Sequence, residues 1–396
     1  MPSDPLIDEK IEQAIEILRE KNVDLWLTFV RESSTTPDPV LELILGTSVT
    51  WQSAFVLTAS GERVAIVGSL DVANIRDHGH YAEVIGYKES IRKPLLESLA
   101  RFDPATIAIN FSKNDVLADG LTHGMFLLLR DYLKDSPFAD RLVSSEKVVA
   151  ALRGRKSATE IERIRRSIQL ALQMFATVDR EVRVGMTERE VAEIMKREMK
   201  RAGVTPAWDP DYCPSVFTGP ESAGAHAGPT DRRIEAGHLM NIDFGVILDD
   251  YASDLQRTWY FRRPGENEAP EAVQRGFETI RDAITRAAEA LRPGVEGWRV
   301  DQVARQYIVD QGFEEFPHAL GHQLGRRAHD GAGLLCPRWE RYGDLPYEKV
   351  EAGQVYTLEP RLTVPGHGVA TIEEIVVVRE EGAEFLSERQ MELLLK

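Results

Sequence analysis

Residues 241–258, NIDFGVILDDYASDLQRT, have the pattern of a β-hairpin turning near Asp249. Asp243 and Asp254 are equally far from the point between Leu248 and Asp249, so a hairpin closed there sets them opposite each other on one side of the sheet. Like charges facing across a ladder are destabilising, and burying carboxylates without a counter-charge is worse. A chain that keeps such a pair needs something to neutralise it.

A second stretch poses the same problem. In VYTLEPRLTVPGHGVATIEEIVVV (355–378) the turn signal PGHG separates two β-rich runs, and Glu359 and Glu373 are equidistant from Gly366. Between the two hairpins lies FPHALGHQLGRRAHD (316–330), which holds His318, His322 and His329, three of the nine histidines of the chain. Imidazole is a common metal ligand, and carboxylates bind hard or borderline divalent ions. The residues thus point to a dinuclear metal centre in which four carboxylates and one imidazole, carrying −4, are matched by two divalent ions. An oxygen-rich set suits Mn²⁺ or Co²⁺, and is also compatible with Zn²⁺ or Fe²⁺. Asp249 and Asp250, at the turn itself, read as turn residues.

The hairpins sit in a duplicated framework. VRVGMTEREVAEIMKREMKRAGV (182–204) aligns without gaps on LRPGVEGWRVDQVARQYIVDQGF (291–313), matching Arg183 with Arg292, Gly185 with Gly294, Val191 with Val300 and Gly203 with Gly312. Each copy runs helix, glycine turn, helix, glycine stop, strand. Two such units predict a curved antiparallel sheet backed by helices, with a site between the halves and one pair of ligand-bearing strands from each.

At 396 residues the chain is too long for one ordinary core. Residues 1–153 mix helix-like segments (IEQAIEILREK, KPLLESLARF, MFLLLRDYL) with strand-like runs (DLWLTFV, AFVLTA, RVAIVGS, TIAINF), the signature of a small α/β domain. Residues 154–396 begin with an amphipathic helix carrying Ile161, Ile164, Ile168, Leu172 and Phe175, and contain the duplicated unit. The expected class is therefore α/β (α+β). A net charge of −16 argues against general affinity for nucleic acid or anionic membrane. The acidic start MPSDPLIDEKIEQ is unlike a signal peptide, and no run is apolar for long enough to span a bilayer, so a cytoplasmic location is expected. Cys213 and Cys336 are too few and too far apart for a disulfide framework and read as packing residues.

IDFG with Asp243, SDLQRT with Asp254, HALGHQLG with His322, TLEP with Glu359 and TIEE with Glu373 occur in the order and local contexts of the pita-bread metallopeptidases. From about residue 150 onward the chain resembles this family of Xaa-Pro dipeptidase (prolidase), aminopeptidase P, methionine aminopeptidase and creatinase. Its first domain resembles the creatinase-type N-terminal domain of the prolidase and aminopeptidase P branch. Methionine aminopeptidases usually lack that domain, and creatinase does not keep the metal carboxylates. The resemblance implies that Asp254 and Glu373 bridge two ions, that Asp243 chelates one, and that His322 and Glu359 complete the other. It also implies that Glu359 handles the proton of the attacking water. His226, His318 and His329 become outer histidines that position substrate and stabilise the tetrahedral intermediate. Arg257 reads as a partner of the carboxylates. The implied activity is hydrolysis of the Xaa-Pro bond at the N-terminus of dipeptides or short peptides, by a homodimer.

Two departures stand out. Arg361 follows Glu359-Pro360 where relatives often have Gly, and Thr371 stands where many carry Arg. The second removes one clamp for a substrate carboxylate; Arg338 and Arg341, with Trp339 and Tyr342 beside them, offer a substitute. Two rival readings stay open: a pita-bread protein that binds without catalysis, and a metal-dependent hydrolase of a non-peptide C–N or ester bond.

Overall fold

The structure is a computed structural model that describes residues 4–221 and 228–396. Two compact units divide it, Met1–Arg153 and Gly154–Lys396.

In the first unit, β1 (Leu25–Val30), β2 (Ser53–Thr58), β3 (Arg63–Gly68), β4 (Glu83–Tyr87), β5 (Ile107–Ile109) and β6 (Leu142–Ser144) form one mixed sheet of order β4-β3-β2-β1-β5-β6. Alternation along β1 explains its placement at the centre. Leu25, Leu27 and Phe29 pack with Leu95, Leu99, Met125 and Leu129 on one face, while Trp26 and Val30 pack with Ile7, Ile11, Ile15 and Leu18 on the other. Both faces are covered, so the central strands read as continuous apolar runs. The strands that sequence reading misses, β4 and β6, are the two edges, whose residues are only partly buried and carry a weaker apolar signal.

In the second unit the duplication is visible in backbone detail. Helices Ala158–Glu181 and Glu188–Ala202 begin with capping boxes at Ser157/Glu160 and Thr187/Glu190. Helices Glu271–Ala290 and Gly297–Asp310 repeat the pair. The connecting glycines, Gly185 (φ 93°) and Gly294 (φ 85°), are both left-handed, which disfavours any residue with a Cβ. Their N–H groups donate to equivalent carbonyls, Ile234 and Val350, each at 2.8 Å. Ile234 and Val350 both precede the tripeptide Glu-Ala-Gly, at 235–237 and 351–353. That shared tripeptide, which the helix alignment does not reach, opens the strands Leu239–Phe244 and Val355–Leu358 and brings Asp243 onto Glu359.

Helices Glu271–Ala290 and Gly297–Asp310 bury Phe277, Ile280, Ile284, Val300 and Ile308 against Leu358, Val364, Val376 and Val378 of the second hairpin. No helix among the described residues is long and apolar enough to cross a membrane.

Candidate metal centre

In the first hairpin Leu239–Phe244 pairs antiparallel with Leu255–Tyr260, with Asp243 opposite Gln256. The turn lies between Asp249 and Asp250, which have φ of 50° and 65°, as a two-residue type I′ turn requires. It is centred one residue later than the sequence suggests. Asp243 and Asp254 are therefore diagonal neighbours, not directly opposed. Moving the centre by one residue slips the register by two, and the side-chain period of a strand is two, so both stay on one face. The second hairpin turns as expected. Leu358 pairs with Glu374 and Arg361 with Thr371, a register that carries Glu359 across from Glu373 about Gly366.

The two hairpins meet at an isolated bridge between Gln256 and Glu373, where the Glu373 N–H donates to the Gln256 carbonyl at 3.2 Å. His322 arrives from the short strand Gly321–His322. A Cβ on Gly321 would lie 1.8 Å from the Thr357 carbonyl oxygen, so only glycine lets this strand run so close to Val355–Leu358. His322 Nε2 then lies 3.4 Å from Glu359 Oε1, 3.8 Å from Asp254 Oδ2 and 3.9 Å from Glu373 Oε1. Ligand atoms of Asp254, His322 and Glu373 all fall within 4.8 Å of one another. Asp254 and Glu373 are buried, while Asp243, His322 and Glu359 are partly exposed, leaving the cluster a solvent-facing side.

Without a counter-charge this arrangement opposes ionisation. Burial, then repulsion from Glu373, pushes the carboxyls of Asp243, Asp254 and Glu359 well above the ordinary range. Burial raises Glu373 to about 7, and the hydrogen bond from Gln256 is the strongest opposing influence. His322 is pushed down to about 3, first by burial and then by His329, so its ring is neutral. Its Nδ1 lies 3.3 Å from the Gln323 carbonyl; an N–H there leaves the Nε2 lone pair facing the carboxylates. Asp243 Oδ1 and Glu373 Oε1 are buried with no hydrogen-bond partner among the described residues. Orphaned carboxylate oxygens beside a neutral imidazole nitrogen fit divalent cations, which reverse each of these penalties.

Of the outer histidines, the His329 ring packs edge-on against His322, with centroids 4.2 Å apart. His318 lies against Phe316, and its carbonyl accepts from Arg305 Nη2 at 2.7 Å. Arg305 is paired bidentately with Asp301, whose Oδ1 also accepts from the Leu320 N–H, so this ion pair pins the histidine-bearing segment from below. Its trace in the sequence is an Asp–Arg pair at i,i+4. His226 lies outside the described residues.

Arg257 serves the carboxylates indirectly. Its Nη1 donates to the carbonyls of Gln256 and Glu373 at 2.8 and 3.0 Å, and its Nη2 pairs with buried Glu374 at 3.2 Å, so it holds the backbone on which a ligand is mounted. Sequence reading missed Gln256 itself, whose side chain reaches Glu359, Glu373 and Thr371. Nothing marks a glutamine between Asp254 and Arg257 as special until the register places it. The segment with Trp339 and Tyr342 reaches the residue before His318: Arg341 Nη2 donates to the Pro317 carbonyl at 2.6 Å, and the two aromatic rings stack at 6.0 Å.

Comparison with known proteins bears on the fold and the family. A protein named an uncharacterized peptidase from Staphylococcus saprophyticus is 29% identical over 384 residues, covering 96% of this chain and 99% of its own. The X-Pro aminopeptidase of Thermotoga maritima superposes with a TM-score of 0.71 at 24% identity, over 98% of this chain and 99% of that one. The Xaa-Pro dipeptidase of Bacillus anthracis gives 0.73 at 23% identity, over 98% and 100%. These likenesses establish the pita-bread fold. Metallopeptidase family M24 matches residues 162–380, more than half the chain, from within the helix Ala158–Glu181 through the second ligand hairpin; the chain belongs to this divalent-metal-dependent family.

Proposed function

We propose that this metallopeptidase carries two divalent ions and cleaves the bond between an N-terminal residue and proline in dipeptides or short peptides. The observation that carries the reading is the convergence of His322 Nε2 with Asp254, Glu359 and Glu373 where two hairpins meet, with orphaned oxygens on Glu373 and nearby Asp243. The activities for which the two solved neighbours are named support the preference for proline. Asp254 and Glu373 would be shared between the ions, with Asp243 completing one set and His322 and Glu359 the other. Mn²⁺ or Co²⁺ suits the oxygen-rich donors.

When bound, such ions lower the pKa of water and polarise a carbonyl. Glu359, partly exposed and 3.4 Å from His322 Nε2, takes the proton of the attacking water and passes it to the leaving nitrogen. His318 and His329, with His226, donate hydrogen bonds to the developing oxyanion. Trp339 and Tyr342, on the segment that reaches Pro317, offer an aromatic face for the substrate.

Metal-stripped protein given back Mn²⁺, Co²⁺ or Zn²⁺ tests this on Ala-Pro and Ala-Pro-Ala-Ala, with Glu359→Gln as control. Cleavage of the dipeptide alone identifies a dipeptidase, and release of alanine from the longer peptide an aminopeptidase. Inert Xaa-Pro peptides with folded, metal-loaded protein would reject the specificity.

A further inference from the structure

Gln256 is almost fully buried, at 3% exposure, in the middle of the acidic cluster. It faces Asp243 across one ladder and bridges to Glu373 on its other edge, so it is the residue of the isolated bridge between the two hairpins. Its amide nitrogen lies 3.4 Å from Glu359 Oε2 and 3.3 Å from Glu373 Oε2. Its amide oxygen accepts from Thr371 Oγ1 at 3.1 Å, and Thr371 Oγ1 lies 3.1 Å from the Pro360 carbonyl.

An amide nitrogen has two hydrogens and no charge. Two hydrogens match two carboxylates. Each carboxylate has one oxygen toward Gln256, and in each it is the other oxygen, Oε1, that lies near His322. A neutral donor also leaves the negative charge of the cluster intact, where a lysine or arginine would cancel part of it. We infer that Gln256 is a positioning residue of the metal centre: it holds Glu359 and Glu373 so that their free oxygens converge, and Thr371 orients it. The inference rests on the metal reading proposed above. The chain of contacts runs from Thr371 to Gln256 to the two ligands, so a defect at Thr371 acts through Gln256.

Titration calorimetry of Mn²⁺ into the metal-stripped full chain tests this without reference to turnover. Gln256→Leu removes both donors at similar size and is expected to weaken Mn²⁺ binding by about 10- to 100-fold, the usual cost of losing a residue that orients a ligand. Thr371→Val is expected to weaken it several-fold, and to have no further effect in the Gln256→Leu background. Raising Mn²⁺ should restore peptidase activity to Gln256→Leu, which a collapsed site would not allow. Unchanged affinity in Gln256→Leu, or a Thr371→Val effect that persists undiminished beside it, overturns the inference and leaves the metal reading standing. Should Gln256→Leu fail to fold, Thr371→Val alone decides: weaker binding supports the inference and unchanged binding overturns it. An unsubstituted protein that binds no Mn²⁺ overturns both.

Discussion

The two ligand hairpins descend from one repeated unit, yet they present their acids differently. The first turns through two residues, Asp249 and Asp250, and sets Asp243 and Asp254 diagonally. The second turns through three, with Gly366 at the centre, and sets the longer Glu359 and Glu373 face to face. Like charges repel most when directly opposed. It is the second, opposed pair that receives the amide of Gln256, whereas the imidazole of His322 faces Asp254 of the first pair as well as both glutamates. The diagonal pair is spaced by the ladder itself, whereas the opposed pair is held by an amide clamp; both pairs call for a counter-charge.

The largest expected effect separates proton handling from ligation within the opposed pair. Glu359→Gln should lower turnover by about 10²- to 10⁴-fold, the usual contribution of a general base, while protein-bound metal is still measurable. Glu373→Gln should instead abolish activity by loss of metal, read as metal content after dialysis. Equal metal content in the two variants would break the distinction.

Removing an acid should have opposite consequences with and without metal. Metal-free Glu373→Gln is expected to melt above the metal-free parent, because a buried repulsive group is gone. Its melting temperature should rise less on adding Mn²⁺ than that of the parent. Asp243→Asn should behave the same way more weakly, since its acid is partly exposed. Thermal denaturation of the three proteins, each with and without Mn²⁺, measures both signs.

The stability of the metal-free protein should also depend on pH. The carboxyl of Glu373 is raised from its ordinary value to about 7 in the folded chain, so between about 4.5 and 7 the folded state holds a proton that the unfolded state has released. This group's contribution is fully present below that window and is lost as pH rises through it. Metal-free protein should therefore lose stability from pH 5 to pH 7.5, and Mn²⁺ should flatten or reverse the slope. Denaturant melts at the two pH values check it; a metal-free protein that gains stability over that range would contradict it.

The smallest effects lie in the turns. Asp250 holds φ 65° without being glycine, so Asp250→Gly should stabilise by about 0.5 kcal/mol, whereas Gly366→Ala, at φ 78°, should cost about 1 kcal/mol. Neither should alter metal affinity.

These differences mark what the sequence made legible. Turn signals and residue symmetry about Gly366 gave the second register outright, because PGHG admits one centre. The first was displaced by one residue, because two adjacent aspartates offer two centres and nothing local chooses between them. The shared face survived since parity, not register, fixes which side a strand residue points to. The first and last strands of the N-terminal sheet escaped because edge strands need not be apolar. The roles of Gln256, Thr371 and the Asp301–Arg305 pair were hidden for another reason. Their roles come from contacts between segments more than ten residues apart, which periodicity does not encode.

The most direct test of the metal centre is its stoichiometry. Purified full-length protein, stripped with chelator, reloaded with Mn²⁺ and freed of excess ion, should retain two Mn²⁺ per chain by elemental analysis. Folded protein that retains fewer than two would contradict the two-ion centre.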